Sequence, residues 1–116
     1  MTRGRPPLKA AKAAHPCARE RGSVVELTGA CELPADFYIV TRTATIFVKV
    51  KRVRAKVAGE EDAAIQFRPL IRSMRLLPQG PVTFIELWGL SPHQTWQYFR
   101  ILPDRIIEIR GDGSSN

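Results

Sequence analysis

The stretch LPADFYIVTRTATIFVKVKR, residues 33–52, holds two apolar runs separated by a short polar link. DFYIVTR (36–42) and TIFVKVKRV (45–53) each read as a strand, and the tight connection near Thr43 makes them a hairpin. In the second run Ile46, Val48 and Val50 fall on one face, and Phe47, Lys49 and Lys51 on the other. Antiparallel neighbours place opposite ends side by side, so Asp36 at the start of one strand comes near Lys49 and Lys51 at the end of the other. A carboxylate and two lysines gathered there read in two ways. They are a site for phosphodiester chemistry, or Asp36 caps or salt-bridges a turn while the lysines guard an edge strand against aggregation.

Working outward, LKAAKAAHPCARERG from Leu8 carries alanines at helical positions and stops at Gly22, with Pro16 weakening the helix. SVVELTG (23–29) alternates as a first strand, and GACELP is a turn. AGEEDAAIQFRPLIRSMRLLPQG opens with Glu60, Glu61 and Asp62 and closes with Arg72 and Arg75, the charge order a helix dipole prefers. Pro69 inside it predicts a kink or a split. PVTFIELWGL (81–90) and TWQYFRIL (95–102) flank SPHQ as a hairpin, and RIIEIR (105–110) adds a short strand. Alternation places Phe84, Glu86 and Trp88 on one face, and Trp96, Tyr98 and Arg100 on one face of the partner, so these aromatics read as cross-strand packing rather than base-stacking platforms.

The expected fold is therefore α/β, a single mixed sheet with flanking helices in the order α-β-β-β-α-β-β. At 116 residues the chain is one domain, expected over 8–110, with a basic flexible tail at 1–7 and a flexible C-terminal tail at 111–116.

The formal net charge is +7, and it is unevenly distributed. Met1 to Arg19 holds Arg3, Arg5, Lys9, Lys12 and Arg19 with no acid, and Phe37 to Gly59 holds Arg42, Lys49, Lys51, Arg52, Arg54 and Lys56, again with no acid. KVKRVRAK packs five cations into eight residues, a stripe long enough to follow a phosphate backbone. The chain has no apolar run of membrane-spanning length and no signal-peptide core at its start, so a cytoplasmic protein away from membranes is expected. Cys17 and Cys31 lack CxxC spacing, so zinc and a disulfide scaffold are both disfavoured. His15 and His93 have no nucleophile at triad spacing, and no phosphate-binding glycine loop is present.

The element order, with Pro34-Ala35-Asp36 and Lys49-Val50-Lys51, resembles the PD-(D/E)xK nuclease superfamily, and within it the archaeal Holliday-junction resolvase type. The resemblance covers residues 8 to 88 and implies a restriction-endonuclease-like fold. It implies Asp36 as the metal-binding acid and Lys51 as the catalytic lysine. The chain departs from the pattern at Lys49, which stands where the second carboxylate belongs; a cation there ligates no Mg²⁺ and repels it. Glu60 or Glu61 is the alternative source of a second acid. The expected protein is a nuclease-derived module whose catalysis is impaired, without a cofactor. It binds nucleic acid, DNA rather than RNA, through Arg42, Lys49, Lys51, Arg52, Arg54 and Lys56, and the resemblance implies a homodimer. The rivals are an active Mg²⁺-dependent endonuclease and a protein-interaction domain; an enzyme is the less favoured reading.

Overall fold

A computed structural model describes residues 8–27, 34–92 and 95–115. The basic tail at 1–7, most of the turn before Pro34, Cys31 and His93 lie outside the described residues. The elements are α1 (Leu8–Arg21), β1 (Ser23–Glu26), β2 (Phe37–Val40), β3 (Thr45–Arg52), α2 (Glu60–Gln66), α3 (Arg68–Met74), β4 (Thr83–Ser91), β5 (Thr95–Ile101) and β6 (Ile106–Ile109). The strands form one six-stranded sheet in sequence order, β1-β2-β3-β4-β5-β6. Every neighbouring pair is antiparallel except β3 and β4, which run parallel in the register Val48↔Glu86 and Val50↔Trp88. A parallel pair needs a crossover, and α2 with α3 provides it.

The two faces of the sheet carry separate cores. On one face α1 packs Ala14 and Ala18, small enough for close approach, against Phe37, Ile39, Ile46, Val48, Val50, Trp88 and Leu90. The aromatic row expected from alternation is here: Trp88 is fully buried, meets Phe37 and Tyr98 edge-on, and Tyr98 stacks beside Trp96. On the other face Ala63, Phe67, Ile71 and Met74 of the α2–α3 region cover Ile85, Leu87, Phe99 and Ile101.

Local sequence explains the breaks. Gly22 turns the chain from α1 into β1 where a Cβ would overlap the Val40 carbonyl. The helix α1 continues past Pro16, whose ring is exposed, with Ala14 and Ala18 buried on either side of it. Where the sequence reads a kink or a split at Pro69, the structure has the split, into α2 and α3. Phe67 leaves helical geometry (φ −107°, ψ 22°) and Pro69 sits in the first turn of α3, where a missing N–H costs nothing.

Residues 111–115, read from the sequence as a flexible tail, instead fold back on the sheet. Gly113 adopts φ 93°, its N–H bonds to Arg110 O, and its carbonyl accepts Arg100 Nη2 at 3.3 Å. Arg100 is already drawn to that side of the sheet by a fully buried carboxylate, Glu86 on β4. Arg21 at the end of α1 grips Glu86 through two bonds of 2.7 and 3.0 Å, Arg100 on β5 donates to Oε2 at 2.8 Å, and the Trp88 indole donates to Oε1 at 2.9 Å. Burial alone pushes the carboxyl up; the bonds and charge of Arg21, then the bonds from Arg100 and Trp88, outweigh it and hold Glu86 below its ordinary value of 4.5.

Because the folded value lies below the unfolded one, the stabilisation this network contributes is complete above about pH 4.5 and is lost as pH falls below that through the folded value. Replacing the buried Glu86→Gln strands two half-buried guanidiniums and is expected to cost about 3 kcal/mol. Urea denaturation across a pH series checks both points: the variant starts less stable at neutral pH and shows a shallower acid limb than the wild type.

Candidate nucleic-acid interface and the Asp36 site

The hairpin of β2 and β3 sets Phe37 opposite Val48, so Asp36, one residue earlier, falls opposite Lys49. Both lie on the α2–α3 face, since their neighbours Phe37, Val48 and Val50 point to the α1 face. Lys49 Nζ approaches Asp36 Oδ1 at 3.4 Å. The other oxygen, Oδ2, accepts the backbone N–H of Val50 at 2.7 Å. The aspartate thus satisfies a strand donor that β3 exposes where β2 has ended. Both carboxylate oxygens are engaged from within the chain, one by an ammonium.

The acids weighed as further metal ligands are elsewhere. Glu60 Oε2 accepts the Glu108 N–H at 2.7 Å, on β6, at the far edge of the sheet order from β2. Glu61 stands exposed in the first turn of α2. Glu86, in register with Val48, belongs to the α1 face, opposite the Asp36–Lys49 pair. Among the described residues no three His, Cys, Asp or Glu side chains come together as a metal-holding group.

Beyond Lys49 the cations behave differently. Val53 and Val57 are buried, anchoring the segment after β3 in the core, which leaves Lys51, Arg52, Arg54 and Lys56 exposed around them. Val53 N–H continues the ladder to Leu90 O at 2.9 Å. Val57 is clamped by a side-chain amide: Gln97 Oε1 accepts its N–H at 2.8 Å and Gln97 Nε2 donates to its carbonyl at 2.9 Å. The result is a cavity of about 570 Å³ lined by Lys51, Arg52, Arg54 and Lys56, with Asp62 and Phe67 on its α2 side. Asp62 Oδ2 accepts the Ala58 N–H at 3.1 Å, and no ion pair among the described residues engages any of the four cations.

Arg42 does not join them. It sits in the turn before β3, at the opposite end of an eight-residue strand, roughly 25 Å away at about 3.3 Å per residue. Lys49 is also withdrawn, paired to Asp36. Of the six cations in the sequence-derived set, the structure gathers Lys51, Arg52, Arg54 and Lys56 in one groove. Sequence reasoning missed Gln97 and the partners of Glu86. The one signal was Glu86 itself, a lone acid in an otherwise apolar row.

Among solved structures, the chain is similar to Hjc of Archaeoglobus fulgidus, a Holliday junction resolvase from an archaeal hyperthermophile. The TM-score is 0.51 at 13% identity, over 88% of this chain and 86% of that one. The fold is restriction-endonuclease-like. No family model and no curated protein matches the sequence. The element order, with Pro34-Ala35-Asp36 and Lys49-Val50-Lys51, implies a restriction-endonuclease-like fold, and the single mixed sheet with flanking helices bears it out. Among the described residues no helix is long and apolar enough to cross a membrane.

The role of Asp36 as a backbone acceptor has a direct consequence. Asp36→Ala leaves the buried Val50 N–H without a partner and is expected to cost about 1–3 kcal/mol. Asp36→Asn keeps an acceptor in place and is expected to cost less than half as much. Thermal unfolding of the two variants separates this backbone role from the Lys49 charge pair, which both substitutions remove.

Proposed function

We propose that this protein is a nucleic-acid-binding module derived from a nuclease fold, catalytically impaired, and that it holds DNA by its phosphate backbone. The observation that carries this reading is the groove of Lys51, Arg52, Arg54 and Lys56, whose charges are exposed and unpaired among the described residues. Four cations along one concave surface match a polyanion far better than a small neutral ligand. Contacts of this kind position the backbone and carry no sequence code, so binding is sequence-tolerant. The fold it shares with a Holliday junction resolvase makes branched or otherwise structured DNA the substrate class to test first.

Loss of catalysis is supported by the Lys49 ammonium 3.4 Å from Asp36. A magnesium-dependent phosphodiesterase uses carboxylates to hold a cation that activates water and offsets charge in the transition state. Here an ammonium occupies the position of a second acid and one Asp36 oxygen is committed to the backbone. Lys51 at the groove's edge then serves as a phosphate contact rather than as a catalytic lysine.

Fluorescence anisotropy on a four-way junction, a duplex and a single strand across a salt series tests the proposal, with product gels run on the same samples in Mg²⁺. The expected result is salt-steep binding without cleavage. In K51A/R52A/R54A/K56A the slope of log K against log salt should fall by about 0.9 for each phosphate that the variant no longer neutralises. Cleavage abolished by Asp36→Ala would establish an active enzyme instead, and absence of binding at low salt would sink the nucleic-acid reading.

A further inference from the structure

A second concentration of positive charge lies at the other end of the sheet. Between α3 and the β5–β6 turn is a cavity of about 540 Å³ lined by Arg68, Arg72, Arg75 and Arg105, with Asp104 the acid on its wall. Arg68, Arg72 and Arg75 recur at intervals of four and three, so they form one stripe on α3. The packing of α3 is done by other residues, Ile71 and Met74, which are buried. Arg75 Nε donates to Leu102 O at 3.0 Å, tying the helix to the β5–β6 turn, and Leu102 N–H bonds to Arg105 O at 2.8 Å, closing that turn. Arg105 is thereby set beside the α3 stripe.

Arg68, Arg72 and Arg105 are exposed and join no ion pair among the described residues; neither does Asp104. Like charges at this helical spacing repel one another, so the stripe works against the helix that carries it. The dipole favours Arg72 and Arg75 at the helix end and Arg75 ties the helix to the turn, but folding gives no reason for Arg68 and Arg105 beside them. Guanidinium groups present planar donor forks that suit phosphate oxygens, and the rise from Arg68 to Arg75 is about 10 Å, the axial rise of about three phosphates on one strand.

We propose that Arg68, Arg72, Arg75 and Arg105 form a second nucleic-acid backbone site, at the end of the sheet opposite the Lys51–Lys56 groove, so that one chain holds two stretches of nucleic acid. The inference deepens the nucleic-acid reading and rests on it for the class of ligand. Topology sets the separation. The strand β5 runs antiparallel to β4, which parallels β3, so the turn after β5 lies at the end where β3 begins and the groove at the end where β3 finishes. Seven residues of β5 span about 23 Å, and the longest dimension of the molecule is 41 Å. That span from Lys51 to Arg105 exceeds one cluster of neighbouring phosphates, and the two sites adjoin only where Gln66 and Phe67 line the groove and Arg68 the stripe, so they take two stretches of backbone that meet at the α2–α3 junction.

The test uses a DNA hairpin whose duplex stem has six base pairs, about 20 Å long and so too short to bridge that span, titrated at low salt and followed by anisotropy and native mass spectrometry. The wild type is expected to bind two duplexes per chain, R68A/R72A/R105A one, and K51A/R52A/R54A/K56A one. The substituted arginines are exposed and outside any ion pair among the described residues, so an unchanged melting temperature should accompany the loss. If R68A/R72A/R105A still binds two duplexes, or if the wild type binds one that the groove substitutions abolish, the arginine site is overturned and the groove stands. Binding that survives the groove substitutions and vanishes only with the arginines supports the second site and removes the groove. No duplex bound at low salt overturns both.

Discussion

A fully buried carboxylate between two arginines ties this structure together. Glu86 on the central strand β4 has no solvent, and removing its hydration is costly unless its oxygens are filled. They are filled by Arg21 from the end of α1, Arg100 from β5 and Trp88 from its own strand. The constraint reaches outward, because Arg21 can arrive only if α1 lies along that face and Arg100 only if β5 pairs in the observed register. Arg100 then donates to the returning chain at Gly113. A buried ion cluster of this kind is weak evidence for net stability compared with an apolar core, but it penalises every arrangement that leaves a member alone.

Opposite faces of the same sheet divide the labour. On the α1 side β3 presents Ile46, Val48 and Val50 to a dry core, while on the other it carries Lys49 against Asp36. The carboxylate at the end of β2 has its two oxygens on a strand N–H and an ammonium. Unpaired positive charge lies beyond β3 in the groove, held in shape by Val53, Val57 and the Gln97 amide.

The formal excess of +7 is thus organised. Many of its cations concentrate at two places, the groove after β3 and the arginine stripe of α3 with Arg105, while many of the acids serve internal tasks. Glu86 neutralises arginines, Glu60 accepts the Glu108 N–H, Asp62 accepts the Ala58 N–H and Asp36 that of Val50. Internal use of acids leaves the surface positive, which favours association with polyanions.

The hairpin of β2 and β3, the face assignments of Lys49 and Lys51, the split near Pro69 and the cross-strand row of Trp88 and Tyr98 were all legible in the sequence. Each follows from a period of two or from a backbone restriction that acts within a few residues. The meeting of Asp36 with Lys49 was legible for the same reason, since a hairpin fixes its own register. What only the tertiary structure decided is which distant residues share a partner: Arg21 and Arg100 on Glu86, Gln97 on Val57, Glu60 on β6, and the arginines of α3 beside Arg105. Periodicity says which way a side chain points, but the partner of a buried polar group is set by where elements far apart in sequence come to rest.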